Sequence, residues 1–436
     1  MYKIKHAKIE GVWGWKTVET GFFDDVSIFI GANGTGKTTF INILVSILRV
    51  DVQALEDLWF ENATIIFENN EVPKKSQRKL TVSRITDQFG DEALHYKISR
   101  QAFVIPSLAG RNLKSVYSQR RILPVIENVR ELIQGIVSFS SLSVSRAGIN
   151  DIDNYDIDEK NKNAKNTSID NTLQDLMNRL KVYQLKKAEI LKEIAREFQE
   201  EVFISVLYNP EIDSSVGLRE ILDTDLKKEM QDFQNTYYEM GILNTQRKGK
   251  AKEQIKKHFQ AIQESIDYLQ ENLSQNKSVF DVDKIFAFPL LKRTRNILNV
   301  GRIAERKRKA LFNPLENYKS ELSGFFKDKS ALLLSDGTIH FKDYQRGGEE
   351  YDCFKLSSGE KQVLILLTES LLQGGDSKIF IADEPELSLH IDWQSKILPS
   401  IRKLNSNAQI IVATHSPEVA GEYPSNVLDM EDICNG

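Results

Sequence analysis

The feature that most constrains this chain is a short apolar run, Val26-Ser27-Ile28-Phe29-Ile30, that stops at Gly31-Ala32-Asn33-Gly34-Thr35-Gly36-Lys37-Thr38-Thr39 and continues as Phe40-Ile41-Asn42-Ile43-Leu44. A buried strand must end where the glycines begin, because only they allow a turn tight enough to aim successive backbone N–H groups at one point. The helix that follows adds the positive end of its dipole to the same point. Every fixed position of the Walker A pattern is filled, so the loop reads as a phosphate cradle. In it Asn33, Gly34, Thr35, Gly36 and Thr39 surround the phosphates, Lys37 reaches the β- and γ-phosphates, and the Thr38 hydroxyl is placed for Mg²⁺.

With 436 residues the chain exceeds what one core usually serves, so two or three structural units are expected. The formal net charge of −4 argues against binding nucleic acid over the whole surface, although a local basic patch remains open. Only Cys353 and Cys434 are present, far apart, which excludes a disulfide framework and a cysteine metal site and fits a cytoplasmic setting. The N-terminus lacks the layout of a signal peptide, and no apolar run approaches the ~20 residues of a membrane span.

Rough alternation from Lys3 to Val18 predicts strands leading into the loop strand, with Trp13 and Trp15 in a glycine-interrupted turn. These tryptophans either cap a sheet edge or stack on an adenine. Residues 63–67, 79–85 and 93–98 predict an appended antiparallel sheet. Between Ser107 and Gly148 only helical fragments are legible, and either Gln101 or Gln119 is a candidate for a glutamine that reaches the metal.

From 150 to 170 the chain is rich in Asp, Asn and Lys, as a linker would be. Helical periodicity then takes over, at Leu176, Leu180, Tyr183, Ile190, Ile194 and Phe198 and again at Leu218, Leu222, Leu226, Met230 and Phe233. Ile255, Phe259, Ile262, Ile266, Leu269 and Leu273 alternate steps of four and three, as do Leu311, Leu315, Tyr318, Leu322 and Phe325, which suits a short antiparallel coiled coil or a plain bundle. Lys292 to Lys309 is the most basic window. It is either a phosphate-gripping face or a solvated helix surface, and it lacks the aromatic residues that stack on bases.

The second half of the site follows a hairpin around Asp336-Gly337. Leu356-Ser357-Ser358-Gly359-Glu360 precedes an apolar helix and offers a hydroxyl and bare N–H groups at a second dipole end. Ile379-Phe380-Ile381-Ala382-Asp383-Glu384 is a buried strand ending in acids, the Walker B arrangement, with Asp383 toward Mg²⁺ and Glu384 as base for the attacking water. Gln409 to Ala413 is a last strand ending at Thr414-His415, and a histidine at a strand's carboxyl end faces the ligand crevice, so His415 is the candidate γ-phosphate sensor and His390 a weaker one.

In this order the motifs resemble the ABC-type ATPase heads of the SMC and overcoming-lysogenization-defect families, over about residues 1–100 and 330–430. The resemblance implies an α/β P-loop head with an antiparallel β subdomain and an inserted helical or short coiled-coil lobe. The expected division is 1–149 and 329–436 for the two halves of the head, 150–170 for the linker and 171–328 for the insertion. It also implies ATP and Mg²⁺ as cofactors and a dimer or higher self-assembly in which Ser357, Ser358 and Gly359 of one subunit meet the γ-phosphate held by the other. Ser358 stands where transporters carry glycine and Glu360 where they carry glutamine, and the long interval between Lys37 and Ser357 is unlike a transporter subunit.

Asp383-Glu384-Pro385-Glu386, Leu389-His390 and Thr414-His415-Ser416-Pro417 look like the ATPases of antiphage systems such as the Septu, PARIS and retron-associated subunits. Few residues follow His415, so a separate chain is expected as effector, a nuclease or toxin. The alternative is a RecF-like or SMC-like repair ATPase that binds DNA. Under the favoured reading the basic window, Arg306, Lys307 and Arg308 above all, is expected to meet an acidic surface on the effector.

Overall fold

The computed structural model describes residues 2–69, 76–86, 91–107, 116–143, 168–207, 225–239, 248–275, 281, 288–334, 336–345, 347–374 and 378–435. In chain order the elements are β1 (Lys3–Val12), β2 (Lys16–Gly21), β3 (Val26–Ile30), α1 (Lys37–Arg49), α2 (Val52–Asp57), β4 (Asn62–Asn69), β5 (Ser76–Thr86), β6 (Glu92–Ile98), β7 (Gln101–Pro106), α3 (Val116–Ile136) and β8 (Phe139–Ser143). Then come α4 (Ser168–Val206), α5 (Leu226–Glu239), α6 (Lys248–Ser274), α7 (Phe288–Phe325), β9 (Lys329–Leu333), β10 (Ile339–Asp343) and β11 (Glu349–Asp352). The last elements are α8 (Ser358–Leu372), β12 (Ile379–Asp383), α9 (Ile391–Leu404), β13 (Gln409–Ala413), β14 (Val427–Asp429), α10 (Met430–Ile433) and β15 (Cys434–Asn435).

The chain divides into two compact units, Met1–Lys181 with Leu315–Gly436, and Val182–Pro314. The division falls inside α4 and α7, whereas the sequence placed the insertion at 171–328. It lies further in because the first turns of α4 and the last turns of α7 are bonded into the head. Asp170 takes the Lys361 ammonium at 2.7 Å, Arg179 grips Glu369 at 2.9 and 3.2 Å, and the Tyr318 and Thr368 hydroxyls meet at 2.7 Å. Residues 150–167 of the expected linker lie outside the described residues, and 168–170 are already helical.

Among the described residues the first unit contains three sheets. A parallel five-stranded sheet has the order β14-β3-β13-β12-β8, and an antiparallel seven-stranded sheet runs β15-β2-β1-β4-β5-β6-β7. The parallel strands β3, β12 and β13 read as continuous apolar runs because they are buried over their length. Phe29 on β3 and Phe40 on α1 pack with ring centroids 5.3 Å apart, so the strand and helix on either side of the glycine loop share a core. Burial of rings this size contributes ~1.5–3 kcal/mol each, which holds the loop's two ends in register. Gln409, fully buried, ties the two large sheets. Its amide donates to the Ile4 and Phe23 carbonyls at 2.7 and 2.8 Å and accepts from Ile4 N–H at 2.9 Å. The expected hairpin at Asp336-Gly337 pairs β9 with β10, and β11 completes a three-stranded sheet.

Gln409–Ala413, expected as the last strand, is followed by β14, which pairs with β3, and by β15, which pairs with β2, and β8 and β7 were not legible in the sequence either. β8, Phe-Ser-Ser-Leu-Ser, has neither alternation nor an apolar run and exists as a strand through its parallel pairing with β12. β7 forms the outer edge of the antiparallel sheet and begins at Gln101, which is exposed. The side chain of Gln119 lies outside the described residues, as do Leu218 and Leu222.

In the second unit, α5, α6 and the first turns of α7 share one core: Leu226 and Phe233 pack with Ile255, Phe259, Ile262 and Ile266 and with Leu291 and Leu298. Further along α7, Ala304 and Leu311 pack with Ile194 and Phe198 of α4. The heptad-like spacing therefore serves a bundle in which α7 has different partners along its length. Ile190 and Leu273, members of the periodic sets, are exposed.

Candidate nucleotide site

The parallel sheet places β13 between β3 and β12, so the carboxyl ends of three neighbouring strands converge. β3 delivers the glycine loop, β12 delivers Asp383 and Glu384, and β13 delivers Thr414 and His415. Gly36 has φ 104° and precedes α1, whose N-terminus no side chain caps. A β-carbon at Gly36 would be strained by that left-handed φ and would approach the Trp13 ring to 3.3 Å. The first-turn N–H groups of α1 thus retain their capacity for an anion.

Lys37 is 4% exposed, and its ammonium donates to the Gly31 and Ala32 carbonyls at 2.8 and 3.0 Å. Burial lowers its pKa, opposed by Glu384, Asp383, Asp429 and Glu386 nearby. Thr35 donates its hydroxyl to Ala32 O at 2.9 Å, and Lys16 donates to Thr35 O at 2.8 Å, which braces the loop from outside. Asn33 and Gly34 are exposed, and Thr39 is half-buried in the first turn of α1.

Thr38 donates to Asp383 Oδ1 at 3.3 Å, although the two residues are 345 positions apart. Burial raises the Asp383 pKa to about 6; the Thr38 hydrogen bond opposes this, and Glu384 and Glu386 reinforce it. A hydroxyl and a carboxylate oxygen side by side, flanked by a buried lysine and an uncapped helix N-terminus, form a hard-oxygen donor set that fits Mg²⁺ carrying a polyphosphate.

Glu384 has φ 48°, a left-handed conformation that costs a non-glycine residue roughly 1 kcal/mol. Its N–H is bonded to Ala413 O at 2.8 Å, so strand pairing holds the strained turn. Glu384 Oε1 lies 3.8 Å from His415 Nε2. The structure therefore brings together the loop, Asp383, Glu384 and His415.

The signature residues are arranged differently. Ser357 caps α8 and forms a capping box with Glu360, which accepts from Ser357 N–H at 2.9 Å and from its hydroxyl at 2.8 Å. Glu360 also takes Lys329 at 2.6 Å, which gives this acid a local structural reason. Ser357 and Ser358 are exposed. Gly359 is packed so closely that a β-carbon would sit 2.4 Å from the Ser388 carbonyl, so no larger residue fits there. The bonds of the Ser357 side chain run to Glu360, not to the cluster at the strand ends.

His390 is not part of the cluster. It caps α9, accepting from Asp392 N–H at 3.3 Å, and lies 3.5 Å from the Asp392 carboxylate on an exposed surface. Two residues without an expected role do belong to it. Glu386 accepts from the Thr414 hydroxyl and the His415 N–H. The available signal was an acid one residue beyond the proline that ends the Walker B run.

The pairing of the basic window agrees with the solvated-surface alternative and not with a phosphate-gripping face. Within the helical unit Arg295 pairs with Glu229 at 2.9 Å, Arg302 with Asp232 at 2.6 Å and Lys307 with Glu197 at 2.7 Å. Glu305 takes both Arg308 and Lys309, and the Arg308 hydrogen bond holds its carboxyl below the usual range. Acids on α4 and α5, distant in sequence, supply the complement of Arg295, Arg302 and Lys307, and Glu305 inside the window supplies that of Arg308 and Lys309.

This arrangement defines a P-loop ATPase. A profile of the AAA ATPase domain family matches residues 3–420, and the chain belongs to that family. It is similar to the retron Ec83 probable ATPase of Escherichia coli, 34% identical over 90 residues, which cover 18% of this chain and 16% of that protein. It is also similar to the retron Vc95 probable ATPase of Vibrio cholerae, 27% identical over 221 residues, 48% of this chain and 39% of that one. The matched segments thus span well under two thirds of these relatives. Among solved structures, the Smc head domain of Pyrococcus furiosus bound to the C-terminal domain of ScpA aligns over 98% of this chain and 93% of that chain, with TM-score 0.44 and 12% identity. Among the described residues no helix is long and apolar enough to cross a membrane.

Proposed function

We propose that the protein binds Mg·ATP at the ends of β3, β12 and β13, hydrolyses it slowly once two copies close on the nucleotide, and thereby regulates a separate effector protein in antiphage defence. The observation that carries this reading is the convergence of Lys37, the Thr38–Asp383 pair and the Glu384–His415 pair at adjacent strand ends. The loop N–H groups and Lys37 hold the phosphates, and Thr38 and Asp383 hold the metal. When bound, Mg²⁺ offsets the charge on the β- and γ-phosphate oxygens. Glu384 orients the attacking water and takes its proton, and His415 contacts the γ-phosphate. Ser357, Ser358 and Gly359 of the second copy complete the site, and the exposure of both serines supports a role toward a partner.

Two of the similar proteins are named as retron ATPases, which supports the defence reading. The internal pairing of the basic window weighs against a repair ATPase gripping DNA there, and equally against that window as the effector's docking site. Phosphate release measured beside sedimentation, with and without ATP, tests the shared site: ATP-dependent dimerisation that parallels turnover is expected, and a strictly monomeric protein with full activity overturns it. Gel shifts at several salt concentrations separate the two functional classes, since tight, salt-dependent DNA binding that raises turnover favours repair.

A further inference from the structure

Glu386 is only 8% exposed, and burial of a carboxylate is costly unless its oxygens are well partnered. Its Oε1 accepts two hydrogen bonds, from the Thr414 hydroxyl and, at 3.0 Å, from the His415 backbone N–H. Its Oε2 is buried with no donor among the described residues. A buried polar atom left in this state calls for a reason. Among the described residues Glu386 forms no ion pair, and both of its side-chain bonds run to a single turn, the one that presents His415. Thr414 reinforces the same turn by accepting from Ser416 N–H at 2.9 Å. Ser416 in turn donates its hydroxyl to Gln394 Oε1 at 2.6 Å, so the far side of the turn is braced as well.

We propose that Glu386 is a positioning residue for ATP hydrolysis: by holding the Thr414 hydroxyl and the His415 N–H it sets the approach of the His415 imidazole to Glu384 and to the γ-phosphate. The inference rests on the reading of Glu384 as base and His415 as γ-phosphate contact. Because Glu386 grips the backbone of His415 and not its ring, it governs where the imidazole stands and leaves the ring nitrogens to their own partners. The separation it controls is the 3.8 Å between His415 Nε2 and Glu384 Oε1. A displacement of about 1 Å at a reacting group can lower the rate on the order of 100-fold, so a carboxylate remote from the phosphates can still matter to turnover.

The test compares Glu386→Ala, Glu386→Gln, Thr414→Val, His415→Ala, Glu384→Gln and the double variant Glu386→Ala/His415→Ala in the full chain. Turnover is measured with ATP, affinity with a fluorescent ATP analogue, and the His415 ring by NMR in nucleotide-free protein. Glu386→Ala is expected to lose about 30- to 100-fold in kcat with affinity within about threefold of wild type, and to shift the His415 ring signal. Glu386→Gln retains an oxygen that accepts both bonds and is expected to keep kcat within about threefold of wild type. The double variant is expected to be no slower than His415→Ala alone, because the two residues act as one unit. If Glu386→Ala does not fold, Thr414→Val, which removes one of the two bonds, carries the test with an expected loss of about tenfold in kcat and the same ring shift.

Normal kcat in Glu386→Ala, or multiplied losses in the double variant, overturns the proposal. If Glu384→Gln and His415→Ala themselves turn over like wild type, the underlying site reading fails. If those two stop while Glu386→Ala runs normally, only the role of Glu386 fails.

Discussion

At the strand ends, Asp383, Glu384 and Glu386 crowd toward Lys37 with few compensating partners: Asp383 has a threonine hydroxyl, Glu386 keeps one oxygen bare, and Glu384 sits on a left-handed backbone. In the helical unit, by contrast, Arg295, Arg302, Lys307, Arg308 and Lys309 each meet an acid, and the buried Glu305 is held by two cations. Both regions are rich in charge, and the basic window is the more conspicuous in the sequence. Yet the charges that are paired contribute to a fold, and those left under-paired are available for a ligand. Strain and desolvation concentrated at one point mark a functional site more reliably than charge density does.

The sharpest way to break this comparison is Glu384→Gln. It preserves the phosphate and metal contacts but removes the base, so kcat should fall by more than about 100-fold while ATP binding persists. Normal turnover in phosphate-release assays would remove Glu384 from that role. Next in size is Lys37→Ala, which deletes the charge nearest the phosphates and should weaken nucleotide affinity by about 30-fold, as read by titration with a fluorescent analogue.

Asp383 sharpens the contrast through pH. Burial holds its carboxyl at about 6 in the folded nucleotide-free protein, above the ordinary aspartate value of 3.8. The folded state therefore holds that proton more tightly, and the stability this contributes is present at low pH and lost as pH rises through about 6. Asp383→Asn, which cannot ionise, should raise the Tm of nucleotide-free protein at pH 7.5 by about 2–4 °C. The gain should vanish by about pH 4, where the wild-type carboxyl is already protonated. A scan of Tm against pH that shows no such convergence would mean the cluster carries no stability cost.

The smallest effect is expected in the helical unit. Lys307 and Glu197 are both about half exposed, so Lys307→Ala should cost no more than about 1 kcal/mol. Lys307→Glu should cost somewhat more, and Glu197→Lys in the same chain should restore the loss. A large, unrescued loss of Tm, or loss of ATPase activity in Lys307→Ala, would show that the belt of pairs does more than complete the bundle.

Much of the head was readable in one dimension because its determinants are local. A glycine loop between an apolar strand and helix, acids at the end of a buried run, and a histidine after another such run each specify a turn and its chemistry within about ten residues. The heptad-like spacing likewise predicted helices, since periodicity states which face is buried. It could not say against what, and Leu291 and Leu311 on one helix proved to face different partners.

What the tertiary structure alone decided are relations between residues far apart in the chain. Gln409 bonds Ile4 across 405 positions and Lys307 is neutralised by Glu197 across 110, while Thr38 and Asp383, both expected at one metal, acquire their direct hydrogen bond across 345. β8 is a strand through its neighbour and not through its own composition. Glu386 acquires its bonds only once β12 and β13 lie side by side. Local pattern encodes torsion angles and faces, whereas pairing, desolvation and the choice of partner depend on which elements the collapsed core brings together.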